Sequence, residues 1–125
     1  MNDSAIVLFA HGSREPGWAR PFESLRDRVA SELGRQAVEL AYLEHTPPTL
    51  QQAIDNLYAR GVRRIAVVPL FLAAGGHLKR DLPRMLEDII RRHPGLVAQA
   101  TPPLGEVESI LDAIAGWIVK DRTAG

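Results

Sequence analysis

Apolar residues are arranged along this chain in two alternating rhythms. Short continuous runs, Ile6-Val-Leu-Phe-Ala, Ala37-Val-Glu-Leu-Ala-Tyr-Leu, Ile65-Ala-Val-Val-Pro-Leu-Phe-Leu and Leu96 to Ala100, have the length and composition of strands buried on both faces. Between and after them the apolar positions spread to helical spacing. Phe22, Leu25, Val29 and Leu33 make one stripe, and Leu50, Ala53, Ile54, Leu57 and Tyr58 a second. Met85, Leu86, Ile89 and Ile90 make a third, and Val107, Ile110, Leu111, Ile114, Trp117 and Ile118 a fourth.

Local signals set the expected boundaries. The first helix is predicted from about Trp18 to Leu33, with Pro21 in its first turn and Gly34 as its stop. The second is capped by Thr46 or Thr49, whose hydroxyl can accept an orphan backbone N–H, and closes at Gly61. Pro69 cannot donate to a ladder, so pairing of the third strand ends near it. The third helix is expected to start at Asp81 as N-cap, with Pro83 just inside, and to end at Arg91-Arg92-His93, where cations suit the dipole. The tail beyond Lys120 is expected to fray.

Four strands alternating with four helices predict an α/β fold, a four-stranded parallel sheet with helices on both faces, as one domain over residues 1–125. Right-handed crossovers favour the strand order 2-1-3-4. That order puts the first and third strands side by side and creates a switch point at their carboxyl ends, the place where open parallel sheets bind ligands. The first strand delivers His11 there, and the third exits through Ala73-Ala-Gly-Gly to His77. Glu44 ends the second strand at the same edge.

Each of these residues has an ordinary structural explanation when taken singly: a histidine bonded to backbone, a glycine-rich loop, a solvated carboxylate. Their convergence on one crevice is what points to a site. Two histidines and a carboxylate suit Co, Ni, Fe or Zn, with coordination positions left open. Arg14, Lys79 and Arg80 lie close by in sequence and would form a cationic rim for an anionic ligand. His45 is expected to be exposed or turned away, His93 to belong to helix termination, and Trp18 with Phe22 to the core.

Composition narrows the chemistry. The 125 residues hold fifteen acidic and fifteen basic side chains, so no overall field draws the chain to nucleic acid or an anionic membrane. Cysteine is absent, which excludes disulfides and thiolate metal sites. The terminus Met-Asn-Asp-Ser lacks a basic signal region, and no apolar run is long enough to span a bilayer, so a cytoplasmic protein is expected.

The motifs Ala10-His11-Gly12-Ser13-Arg14, Tyr42-Leu43-Glu44 with Thr46-Pro47, Val68-Pro69-Leu70-Phe71-Leu72, Gly76-His77, Asp81-Leu82-Pro83 and Pro103-Leu104-Gly105 together resemble the sirohydrochlorin chelatases. The likeness is to their short, single-domain cobaltochelatase form of cobalamin biosynthesis. It implies a class II chelatase that inserts a divalent metal into sirohydrochlorin without ATP or any cofactor beyond that metal, Co²⁺ here, with Ni²⁺ or Fe²⁺ inserted by relatives. It also implies that His11, His77 and Glu44 bind the metal and take up protons, and that Ser13, Arg14, Gly76, Lys79 and Arg80 hold the ring. Because a tetrapyrrole is wide for one small domain, and larger relatives contain two facing domains, a homodimer with two half-sites is expected.

Two other readings stay open. A metal-binding or tetrapyrrole-carrying module without turnover would use the same ligands. A histidine phosphatase would place its nucleophile at His11, but it needs an arginine beside that residue, and position 10 is alanine. No Gly-x-Gly-x-x-Gly follows the first strand, which argues against a nucleotide-binding module.

Overall fold

The computed structural model describes residues 3–73 and 75–123. Ala74, in the stretch leading to His77, lies outside the described residues, as do Met1 and Asn2 of the amino-terminal reading.

The chain runs β1 (Ser4–Ala10), α1 (Arg20–Leu33), β2 (Val38–Tyr42), α2 (Leu50–Ala59), β3 (Arg64–Pro69), α3 (Gly76–Arg91), β4 (Val97–Ala100) and α4 (Glu108–Thr123). Two 3-10 turns, Arg35–Ala37 and Leu104–Glu106, precede β2 and α4. The strands form one parallel sheet in the order β2-β1-β3-β4, as the alternation of runs and stripes implies.

The central strand β1 pairs on both sides, Leu8 opposite Leu40 and Val68, and both of its faces are covered. Val7 and Phe9 point into a core shared with Leu50, Ile54 and Leu57 of α2 and Leu82, Leu86 and Ile89 of α3. Leu8 and Ala10 point the other way, where Val38, Leu40 and Tyr42 meet Phe22 and Val29 of α1. Each fully buried Leu, Ile or Phe contributes about 1.5–3 kcal/mol, so this two-sided packing fixes β1 most firmly of all the strands. Its carboxyl end is therefore a rigid platform.

Two boundaries depart from expectation, and at a third the structure chooses between the two caps offered. α3 begins at Gly76 with Gly75 as N-cap, so Asp81 is not a cap and Pro83 stands inside the helix. Pro83 removes only its own N–H, leaving the Lys79 carbonyl without that partner. Gly75, extended at φ −66° and ψ 159°, takes the N-cap place, which glycine tolerates. α4 continues to Thr123, past the expected fraying point at Lys120. Thr49 alone caps α2, in a reciprocal box with Gln52, while Thr46 is used elsewhere.

The distribution of helices is uneven. α2 and α3 cover one face, and α1 covers β2 and β1 on the other. α4 packs mainly on the 3-10 turn before it and leaves Trp117 65% exposed. No helix among the described residues is long and apolar enough to cross a membrane.

Candidate metal and tetrapyrrole site

The loops leaving β1, β2 and β3 are stitched together by continuing the sheet beyond its regular end. Leu43 N–H donates to Ala10 O at 2.9 Å and Glu44 N–H to His11 O at 3.0 Å. On the other flank Leu70 N–H donates to Phe9 O at 2.8 Å. His11 thus leaves the core between Glu44 and Phe71.

Gly12 is the hinge that permits this. Its φ is +93°, a region that disfavours any side chain, and a Cβ there would lie 1.7 Å from the Glu44 carbonyl oxygen. Two residues further on, the Thr46 hydroxyl donates to Ser13 O at 2.9 Å and accepts from Ser13 N–H at 3.2 Å. Backbone contact and hydroxyl clasp together lock the first two loops in register.

The side chains follow. His11 Nε2 stands 3.1 Å from Glu44 Oε1, with the two side chains 58% and 51% exposed. An exposed pair of this kind adds only about 0–1 kcal/mol to folding, so stability does not account for the locked loops that present it. The Phe71 ring stands edge-on to His11, centroids 6.4 Å apart, and also meets Phe9 at 6.0 Å. One side of the imidazole is therefore apolar and the other carries a carboxylate. A neutral imidazole nitrogen with a carboxylate oxygen beside it can share a divalent cation, or the carboxylate can orient the ring and raise its basicity.

His45, expected to be exposed or turned away, is exposed, and it also brings its Nε2 to 3.6 Å from the same Glu44 oxygen. Its backbone φ of 67° causes this, since a left-handed residue swings its side chain back toward the preceding one. Phe71 and Thr46 were also missed as site-shaping residues. Both sit within quoted motifs, yet only the through-space contacts reveal their roles.

His77 lies on the first turn of α3 rather than in a loop, is exposed, and has no hydrogen bond or ion pair among the described residues. No group of three or more His, Asp or Glu side chains among the described residues is gathered closely enough to hold a metal ion. Among the described residues, the structure thus joins His11 and Glu44 by direct contact and shows no such contact for His77. Of the cationic rim, Arg14 is exposed with no ion pair among the described residues, and Arg80 extends back toward Gly76. Lys79 is engaged with Glu106 at 3.4 Å.

That ion pair belongs to a second seam. Gly105 N–H donates to Phe71 O at 3.4 Å, and a Cβ at Gly105 would fall 1.4 Å from the Leu72 carbonyl oxygen. The loop after β4 is thereby fastened to the loop after β3.

Comparison with known proteins bears on this arrangement. The sirohydrochlorin cobaltochelatase of Saccharolobus islandicus is 42% identical over 83 residues, which is 65% of this chain and 62% of the relative's length. A structure of a putative cobalamin (vitamin B12) biosynthesis CbiX protein from Marinobacter aquaeolei VT8 superposes with a TM-score of 0.85 at 31% identity, covering 97% of this chain and 96% of that one. The sirohydrochlorin chelatase SirB from Bacillus subtilis subspecies spizizenii, in complex with cobalt, gives a TM-score of 0.79 at 25% identity, with 96% of this chain matched to 51% of the longer one. The CbiX family model matches residues 5–119, and the chain belongs to the CbiX family.

Proposed function

We propose that this chain inserts a divalent metal, Co²⁺, into sirohydrochlorin without ATP, acting in the cytoplasm as a single chelatase-like domain over residues 1–125. The observation that carries the reading is the exposed His11–Glu44 pair, 3.1 Å apart on loops that the fold locks at the switch point of the sheet. Relatives named sirohydrochlorin cobaltochelatase support the substrate and the metal. Ni²⁺ and Fe²⁺ fit the same donors and are the alternatives.

Insertion exchanges two pyrrole N–H protons for one M²⁺. His11 and Glu44 hold the incoming ion through few, exchangeable donors, so that it can pass to the ring nitrogens; a closed four-ligand cage would retain it. The released protons need acceptors at neutral pH, and a neutral imidazole provides one. His77 supplies the second imidazole from α3. Arg14 and Arg80, with Lys79 once it leaves Glu106, face the carboxylates of the ring, while Ser13 and Gly76 offer backbone at close approach. Two copies face one another across the ring as half-sites of a homodimer.

The test follows the absorption change when protein, sirohydrochlorin and Co²⁺ are mixed, against the rate without protein. Acceleration that falls about 100-fold or more in His11→Ala supports the proposal. Ring and metal binding with no acceleration would assign the chain to the non-catalytic carrier reading.

A further inference from the structure

Among the described residues, His45 alone combines a positive φ, 67°, with a side chain. Thr46 N–H donates to Glu44 O at 2.8 Å, a hydrogen bond between residues two apart, so His45 is the middle of a γ-turn of the rarer, strained hand. The chain is held on both sides of it. Glu44 N–H donates to His11 O, and the Thr46 hydroxyl clasps Ser13. Strain of this kind gathers where a site needs a side chain in one place. What it delivers here is an imidazole nitrogen 3.6 Å from Glu44 Oε1, the same oxygen that stands 3.1 Å from His11 Nε2. The His45 side chain is 34% exposed and that of Glu44 51%, so the contact adds little to folding.

One carboxylate oxygen therefore serves two imidazoles. Ligand atoms about 2.1 Å from a divalent ion stand roughly 3.0 Å apart at right angles and roughly 3.4 Å apart at tetrahedral angles. Both separations are close to these, so each imidazole can share an ion with Glu44 after a small rotation. No three-donor group is gathered among the described residues, which leaves two adjoining two-donor positions rather than one closed cage. We propose that Glu44 and His45 form an outer binding site for a divalent transition-metal ion, which captures the ion and hands it across Glu44 to His11. The inference rests on the metal-insertion reading above and adds to it a residue and a route.

The surroundings of His11 favour that direction of travel. Phe71 lines one flank of the imidazole with carbon and offers an ion no donor, while Glu44 stands on the other. An ion moving along Glu44 keeps its bond to Oε1 throughout, releases His45 Nε2 and gains His11 Nε2, with water filling the remaining positions. An imidazole at the outer position also sorts ions. Mg²⁺ and Ca²⁺ take oxygen ligands, whereas Co²⁺, Ni²⁺ and Zn²⁺ accept imidazole nitrogen.

His45→Asn is the test variant, because asparagine accepts a positive φ and has no imidazole. Co²⁺ titrated calorimetrically into the whole protein without sirohydrochlorin reads the site directly. In the His11→Ala background, which removes the inner pair, adding His45→Asn should weaken Co²⁺ binding about tenfold. In steady-state insertion, His45→Asn alone should raise KM for Co²⁺ about tenfold and leave KM for sirohydrochlorin as it is. His45→Gly, free at this φ, should behave alike and guards against a misfolded turn. Unchanged Co²⁺ affinity in the His11→Ala background, together with an unchanged KM for Co²⁺, would overturn the inference and leave His45 as a turn residue. A fall in kcat with KM for Co²⁺ unmoved would also overturn it, since the histidine would then act after the ion has arrived. Failure of the wild-type protein to accelerate insertion would sink the function proposed above, and the calorimetric arm would still decide whether His45 binds the ion.

Discussion

The backbone of Gly12 rests directly on the carbonyl of Glu44, so closely that a methyl group added at Gly12 would sit 1.7 Å from that oxygen. The distance between His11 and Glu44 is therefore set by main chain, and the side chains inherit it. Gly12→Ala should destabilise the fold by on the order of 3 kcal/mol, from the positive φ and the overlap together. It should also abolish metal insertion under conditions where the protein stays folded. Urea unfolding combined with the absorption assay checks both, and wild-type activity in a folded Gly12→Ala protein would refute the coupling.

Glu44→Gln keeps the size of the side chain and a hydrogen-bonding oxygen while removing the charge. We expect Co²⁺ insertion to fall by about 10- to 100-fold, the usual effect of losing a carboxylate that serves a metal-binding imidazole. Since His11 and Glu44 touch, the double variant His11→Ala, Glu44→Gln should be less impaired than the product of the two single losses. Strict multiplicativity in the rate measurements would mean that the residues act separately.

Tyr42, buried under α1, has its hydroxyl pKa pushed above the ordinary 10.0, first by burial and then by the nearby Glu23 carboxylate, against a smaller opposing pull from Arg26. The folded state then holds this proton more tightly than the unfolded state. Its stabilising effect is complete below pH 10 and is lost as pH rises from 10 through the raised folded value. Urea midpoints between pH 8 and 11 should decline more steeply for wild type than for Tyr42→Phe; identical slopes would refute the assignment.

His93 approaches Asp55 at 2.6 Å and stacks on Tyr58 at 4.4 Å, with the Arg63 guanidinium 3.7 Å from the Tyr58 ring centre. This cluster joins α2 to the segment after α3, at the edge of the sheet away from His11. His93→Ala should cost about 1–2 kcal/mol of stability and leave metal insertion unchanged. Loss of insertion in a stable His93→Ala protein would show that the histidine has a second task.

The sheet and its order were readable because β1 and β3 are continuous apolar runs and the intervening stripes are long enough to be helices. Chirality then left few topologies. That His11 and Glu44 would lie near one another was readable because each ends a strand on the same edge. What the sequence could not convey was direction in space. His45 resembles an ordinary loop histidine until its φ of 67° turns it onto Glu44. His93 was read for its charge at a helix end, although its contacts with Asp55 and Tyr58 are what place it. α3 starts before the expected Asp81, with Gly75 as its N-cap, which puts His77 on a helix rather than in a loop. The stripe on α4 was legible, but no pattern along the chain says what should cover it, and Leu111, Trp117 and Ile118 stay exposed.

The Thr46 hydroxyl grips both the N–H and the carbonyl of Ser13, two residues past His11 and two past Glu44. The clasp divides each loop into a gauged part and an ungauged part. One residue inserted between Ala10 and Ser13 would shift the imidazole relative to its carboxylate, whereas an insertion after Glu15 would lengthen only the lead-in to α1. Length variation among natural versions of this fold should therefore gather on the far side of Ser13.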